Sequence, residues 1–291
     1  MMSERRIAIL SDIHGNRPAF EEVVKDIGHQ DVDAVIVAGD LVGRGPEGTR
    51  IVERVAALQW PSIRGNHEDY LLGFVRRQVP DAWWNLDEWS ASRWMAAELS
   101  SDAVRFIEQL PDTMAPDFAP GMYVVHGSTR SNTEGLGPWT DEDYLVEELE
   151  RGGHPLLVCG HTHRAMVKQL PRGTVANIGS VGLPFNEDQR AQYGVFTLRD
   201  GCWHAELRQV TYDLDDVFRA YQQTGFWRAG GVTAQLLALE LHYATPFLVP
   251  FLRWAHDREQ RPAPEHIDLF LQDFYPHERM ARFNDRRGFS G

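Results

Sequence analysis

Cysteine is scarce in this chain: Cys159 and Cys202 are the only two in 291 residues. Two thiols make neither a disulfide framework nor a thiolate metal cage, so the chain suits a reducing compartment, and any metal must be held by nitrogen and oxygen. Basic charge is also short. Lys+Arg 29 against Asp+Glu 42 leaves a formal net charge of −13, which repels the phosphate backbone of long nucleic acids. No apolar run is long enough for a membrane span; the stretch from Leu236 to Trp254 is broken by Glu240, His242, Pro246 and Pro250. The opening residues, Met1 to Arg6, lead into a short apolar strand rather than a long hydrophobic leader. Internal repeats and low-complexity segments are missing too. These absences predict a cytoplasmic protein that contacts neither membrane nor long nucleic acid. With 43% hydrophobic and 24% charged residues, the chain has the composition of a globular protein able to bury a substantial core.

Short apolar runs at Ile7–Leu10, Ala34–Ala38, Tyr123–Val125 and Leu156–Cys159 are each too brief for a helix and read as strands buried on both faces. Between the first two, Ala19, Phe20, Val23, Val24 and Ile27 form a helical stripe, with Pro18 suited to the first turn and Gly28 to the stop. A second stripe runs through Ile51, Val52, Val55 and Leu58. Strand, helix, strand predicts an α/β architecture with right-handed crossovers. From Thr174 the pattern changes to closely spaced strands, Thr174–Ile178, Gly194–Leu198 and Cys202–Val210, which predicts a more antiparallel sheet edge. Helix formers and aromatics dominate after residue 211, and Arg279 to Gly291 is a charged stretch expected to fray.

Five of these strand ends carry metal-ligand chemistry. Ser11-Asp12-Ile13-His14-Gly15-Asn16 follows the first strand and places a carboxylate and an imidazole two residues apart, within reach of one cation. Gly39-Asp40 closes the second strand, at the edge where open α/β sheets carry their sites. Arg64-Gly65-Asn66-His67-Glu68 follows a short strand at Ser62-Ile63; His126-Gly127 and Gly160-His161-Thr162-His163 close the next two. Taken singly, each has a plainer reading: a polar turn at Asp12, a turn aspartate at Asp40, a helix cap at Asn66, a hydrogen-bonded structural histidine at His126. Taken together and in order, they point to one metal site.

This ordered set, complete over residues 12 to 163, resembles the signature of the calcineurin-like metallophosphoesterases, and Asn177 to Pro184 resembles a segment of their small prokaryotic members. The resemblance covers roughly the first 210 residues. It implies a four-layer α/β/β/α sandwich of two mixed sheets flanked by helices, with residues 1–210 as catalytic domain; composition adds a helical excursion at about 68–115 and a helical extension over residues 211–291, expected to pack on that domain. It also implies a ligand set: Asp12, His14 and His163 for one metal, Asn66, His126 and His161 for the other, and Asp40 bridging. His67 is the implied general acid or charge stabiliser at the leaving oxygen. The implied activity is hydrolysis of phosphate mono- or diesters by in-line attack of a metal-bound hydroxide, the two cations about 3.5–4 Å apart. Mn²⁺ is the first choice, with Fe or Zn²⁺ as competitors, because mixed nitrogen and oxygen ligation does not choose among them.

Gly39 to Gly45 and Arg64 to Glu68 are also similar to motifs of Ser/Thr phosphoprotein phosphatases, in which the arginine matching Arg44 grips phosphate. Two departures favour a small-molecule phosphoesterase. Gly43 stands where those phosphatases carry an aspartate that orients the imidazole, and Gly160 to His163 has the paired histidines of small bacterial phosphodiesterases. A protein phosphatase, a dinucleoside polyphosphate hydrolase and a non-catalytic interaction scaffold are the alternatives. The expected partner is a small phosphorylated substrate, and homo-oligomerisation is left open. Trp83, Trp84, Trp89 and Trp94 either pack the excursion onto the core or wall the cleft. Cys159 reads as a small buried hydrophobe, and the C-terminal helices either cap the site or cover the back of the sandwich.

Overall fold

The computed structural model describes residues 4–274; the charged stretch Arg279 to Gly291, and His277, lie outside the described residues. One sheet has the order β2 (Ala34–Val37), β1 (Arg5–Leu10), β8 (Ala191–Arg199), β9 (Cys202–Val210). The other has the order β3 (Thr113–Met114), β4 (Met122–Val125), β5 (Leu156–Cys159), β7 (Gly173–Asn177), β6 (Met166–Leu170). Both are mixed. β1 pairs parallel with β2 and antiparallel with β8, whereas β4, β5 and β7 run parallel between antiparallel β3 and β6. The expected strand at Ser62-Ile63 is a single parallel bridge from Ser62 to Val37.

The period-2 alternation of β1 builds the layers. Ile7 and Ile9 point between the sheets, where they meet Ile36, Val124, Val158, Ala176 and Phe196. Ala8 and Leu10 point the other way, into the cluster formed with α1 (Arg17–Ile27) and α2 (Gly48–Leu58). On the far side, Leu157, Cys159 and Val175 pack with Leu145 and Leu149 of α6 (Glu142–Gly152). Helices, sheet, sheet and helix thus stack as the expected four layers. Pro18 sits in the first turn of α1 and Gly28 ends it, as the sequence predicts, and Asn16 caps it by accepting from the Ala19 amide.

The excursion consists of α3 (Asn66–Val75), two short 3₁₀ turns, α4 (Ser90–Ala97) and α5 (Ser101–Glu108). Trp83 and Trp89 stack on each other with ring centroids 3.7 Å apart, and Trp94 packs on Phe226, so these three join the core; Trp84 is more exposed. The chain then continues through α7 (Leu214–Gln223), α8 (Phe226–Ala229), α9 (Gly231–Tyr243), α10 (Leu248–Asp257) and α11 (Ile267–Phe274). α9 is apolar nearly all round because it is wedged between two clusters: Ala234, Leu237 and Leu241 face the main core, Val232 and Leu236 a smaller one shared with α10 and α11. No helix among the described residues is long and apolar enough to cross a membrane.

Candidate metal centre

The strand ends converge. Asp12 and His14 leave β1, Asp40 leaves β2, Asn66 opens α3, His126 leaves β4, and His161 and His163 leave β5. Nitrogen and oxygen atoms from Asp12, His14 and His163 lie within 4.8 Å of one another, as do those from Asp12, Asp40 and His126, and from His14, Asp40 and His67. All seven sequence-predicted ligands enter this cluster: Asn66 Oδ1 lies 3.1 Å from His126 Nε2 and 2.9 Å from His161 Nδ1. Asn66 is not the helix cap that the local pattern permitted. Gly65 holds that position, and the Asn66 side chain turns to the two histidines.

The backbone is strained to aim these groups. Asp12, His14, Asp40, Arg44, His161 and His163 all adopt left-handed φ between +52° and +66°. Each costs roughly 1 kcal/mol or more for a residue with a Cβ, and such strain persists only where the surroundings over-determine it. Those surroundings are visible. Ser180 donates its hydroxyl to the Asp12 carbonyl, Gly182 donates its amide to the same oxygen, and Val181 donates to the Ser11 carbonyl. Asn177 Nδ2 donates to the Gly160 carbonyl. The segment from Asn177 to Pro184 is therefore the buttress of the site.

Each of four imidazoles has one nitrogen anchored to a backbone carbonyl. His14 Nδ1 donates to Val42 at 3.2 Å, His126 Nδ1 to Ala38 at 2.8 Å, His163 Nδ1 to Leu183 at 2.5 Å and His161 Nε2 to Thr133 at 3.1 Å. The remaining nitrogens turn inward, and the Nε2 atoms of His14 and His163 face one another at 3.0 Å. An outward N–H on a carbonyl fixes the tautomer that leaves a lone pair for a cation. Asp12 Oδ1 is buried without a hydrogen bond of normal geometry; its neighbours are His163 Nε2 at 3.1 Å and His14 Nε2 at 3.6 Å. Carboxylate, amide oxygen and imidazole around an unpartnered buried oxygen suit hard or borderline divalent cations.

The electrostatics match a site built for positive charge. Burial works to raise the Asp12 pKa, but the His163 and His14 imidazoles outweigh it and hold the carboxyl well below the ordinary range. Asp40 is likewise lowered, burial being outweighed by His126 and His67. Burial disfavours charge on His126, yet Asp40 Oδ2 at 3.2 Å pushes its pKa up to about 10. His161 is pushed down to about 4 by burial and the charge on His126.

Gly43 has φ +84°, and a Cβ there would lie 2.4 Å from His67 Nδ1. The imidazole occupies the space that a side chain at 43 needs. His67 Nε2 instead accepts from Arg44 Nε at 3.3 Å, and burial holds its pKa well below the usual histidine value.

Two acids without an assigned role in the sequence reading complete the site. Glu68 is fully buried and accepts from the Asp40 amide at 2.9 Å, Gly65 at 2.7 Å and Val42 at 3.1 Å, tying two ligand loops together. Glu240, on α9, accepts from Arg44 Nη1 at 3.1 Å. Tyr221 of α7 donates its hydroxyl to the Arg44 carbonyl, and Val217, Tyr221 and Leu241 line a small cavity with His14 and Arg44. The C-terminal helices thus flank the site. Burial pushes the Cys159 thiol pKa up, in keeping with a packing role.

The description "Calcineurin-like phosphoesterase superfamily domain" matches residues 6–201. An uncharacterized protein of Methanocaldococcus jannaschii is 25% identical over 232 residues, spanning 75% of this chain and 92% of that protein. The crystal structure of a metallophosphoesterase from Sphaerobacter thermophilus is 26% identical, with a TM-score of 0.67 over 82% of this chain and 100% of its own. A hypothetical protein from Pyrococcus horikoshii OT3 superposes with a TM-score of 0.70 over 83% of this chain and 99% of its own; at 15% identity it is a likeness of fold alone.

Proposed function

The chain belongs to the calcineurin-like phosphoesterase superfamily, and from that premise we propose that it is a cytoplasmic hydrolase of small phosphate esters that works with two divalent cations, Mn²⁺ first among them. Asp12, His14 and His163 would hold one cation, Asn66, His126 and His161 the other, and Asp40 would serve both. The reading is supported above all by the four imidazoles whose outward nitrogens are fixed on backbone carbonyls; the inward nitrogens of His163, His14 and His126 lie 3.1, 3.6 and 4.0 Å from the unpartnered Asp12 Oδ1, and that of His161 lies 2.9 Å from Asn66 Oδ1. Bound cations of this kind supply Lewis acidity toward a phosphoryl group and lower the pKa of water toward neutrality.

The protein's own groups do the rest. His67 serves the leaving oxygen and Arg44 the phosphoryl group, and the bond from Arg44 Nε to His67 Nε2 makes them one unit, so that displacing either moves both. With Nε2 accepting, neutral His67 carries its proton on Nδ1. A net charge of −13 leaves cations at the site as the main attraction for an anionic ester and disfavours long nucleic acids.

The test is hydrolysis of p-nitrophenyl phosphate and bis-p-nitrophenyl phosphate before chelation, after it, and after return of Mn²⁺. Turnover that chelation abolishes and Mn²⁺ restores is expected. Absence of metal-dependent turnover with either ester and with a nucleotide panel overturns the reading in favour of a binding scaffold.

A further inference from the structure

Arg44 is the arginine that the sequence resemblance assigns to phosphate, yet its charge is already matched. Glu240, from a helix almost 200 positions further along the chain, is 1% exposed, and its Oε2 accepts from Arg44 Nη1 at 3.1 Å. The other oxygen is occupied as well: Oε1 accepts from the amides of Phe247 at 2.8 Å and Leu248 at 2.9 Å, at the start of α10. The carboxylate is therefore fixed from both sides and does not swing away.

Other cations at the rim are committed elsewhere. Arg64 pairs with Asp69 and Asp112, Arg130 pairs with Glu134, and Arg164 donates to the Phe185 carbonyl and lies over Trp139. The chain's two lysines, Lys25 and Lys168, pair with Glu22 and Glu142.

We propose that Glu240 is a specificity-determining residue that balances the Arg44 charge and so sets the site for phosphodiesters over phosphomonoesters. This rests on the phosphoesterase reading above and names the substrate class. A monoester carries a second negative charge near neutral pH, and recognising it calls for an unbalanced guanidinium. In a diester that charge is replaced by a neutral substituent, against which a neutral Arg–Glu pair sits without penalty. The C-terminal helices thereby contribute selectivity rather than ligands.

Glu240→Gln is the informative change. The amide oxygen still accepts from Phe247 and Leu248, while its NH₂ faces Arg44 Nη1 as donor against donor, so the guanidinium loses both its counter-charge and its acceptor. In the Mn²⁺-loaded full chain, the pNPP to bis-pNPP ratio of kcat/KM is expected to rise about tenfold, chiefly through a lower KM for the monoester, the size of one added charge interaction screened nearly as in bulk water. Calorimetric binding of inorganic phosphate should tighten by a similar factor, with dimethyl phosphate, which carries one charge instead of two, tightening less. Arg44→Gln, made independently, leaves the Glu240 carboxylate unbalanced and should weaken inorganic phosphate more than dimethyl phosphate.

A wild-type preference for the monoester overturns the proposal. So does a folded Glu240→Gln variant with wild-type ester ratio and phosphate affinity. If Glu240→Gln does not fold, equal weakening of both anions by Arg44→Gln overturns it instead. If the wild type hydrolyses neither ester, the phosphoesterase reading fails, and the two binding measurements alone still decide whether Glu240 sets anion charge preference.

Discussion

Loading the metal-free protein with Mn²⁺ should release a proton, and the structure says from where. His126 donates Nδ1–H to the Ala38 carbonyl and presents Nε2 to Asp40 Oδ2 at 3.2 Å. Burial opposes charge on the ring, but Asp40 prevails and pushes the pKa up to about 10. At pH 8 only about one ring in a hundred is then neutral, and a cation needs that neutral form. His161, pushed down to about 4, has no proton to lose at pH 8. Apparent Mn²⁺ affinity should therefore rise roughly tenfold per pH unit between about pH 7.5 and 9, and binding at pH 8 should release about one proton. Calorimetric titration in buffers of different ionisation enthalpy measures this directly, the slope of observed against buffer enthalpy being the number of protons. The same shift governs the stability of the chelated protein. A histidine pKa raised in the folded state stabilises fully below the unfolded value near 6.5 and loses that contribution as pH climbs through about 10. Chelated protein should thus lose stability over that window. A slope of zero at pH 8, with Mn²⁺ bound, would refute the assignment of His126 as the proton-bearing ligand.

His67→Ala should lower turnover far more than metal content, whereas Asp40→Asn should deplete both cations; metal analysis beside steady-state kinetics separates the two, and equal metal loss would count against distinct roles. Glu68→Gln turns an amide donor toward one of the three backbone N–H groups that the carboxylate accepts. It should cost about 1–3 kcal/mol in urea unfolding, and an unchanged midpoint would show that the two loops do not depend on it. Gly43→Ala puts a methyl at φ +84° against His67 Nδ1, so turnover should fall with metal content intact, and full activity would mean that the ring is not fixed by that contact.

Much of the candidate centre is legible in the sequence because the residues proposed as its ligands sit at the ends of short buried strands. Ile7–Leu10 and Leu156–Cys159 announce themselves by uninterrupted apolar residues; parallel pairing sets the carboxyl ends of β1 and β2 at one edge of the first sheet and those of β4 and β5 at one edge of the second, and the packing of the two sheets brings those edges together. Conjunction carries more than the single motifs do. Asn66 is locally a good cap, and only the histidines at 126 and 161 show why its amide turns away from the helix. β3 and β6 escaped notice for opposite reasons: one is two residues long, and the other carries Lys168 and Gln169 on a half-exposed edge.

Glu240 had the least local signal. α9 is buried on nearly every side, so it shows no polar stripe to mark which face meets the site. In the linear sequence Glu240 is simply a charge in an apolar stretch, and it served there to exclude a membrane span. A charge in such a stretch is tolerated in a folded protein only when something neutralises it. That something is Arg44, supplied from the loop after β2 and itself held in a left-handed conformation. Burying the pair without further bonds would cost more than it returns, but the Phe247 and Leu248 amides satisfy one carboxylate oxygen, and His67 receives the guanidinium Nε–H. The interruption in the apolar run and the arginine beside the metal ligands are thus two halves of one feature. Neither half explains itself until the fold places them 3.1 Å apart.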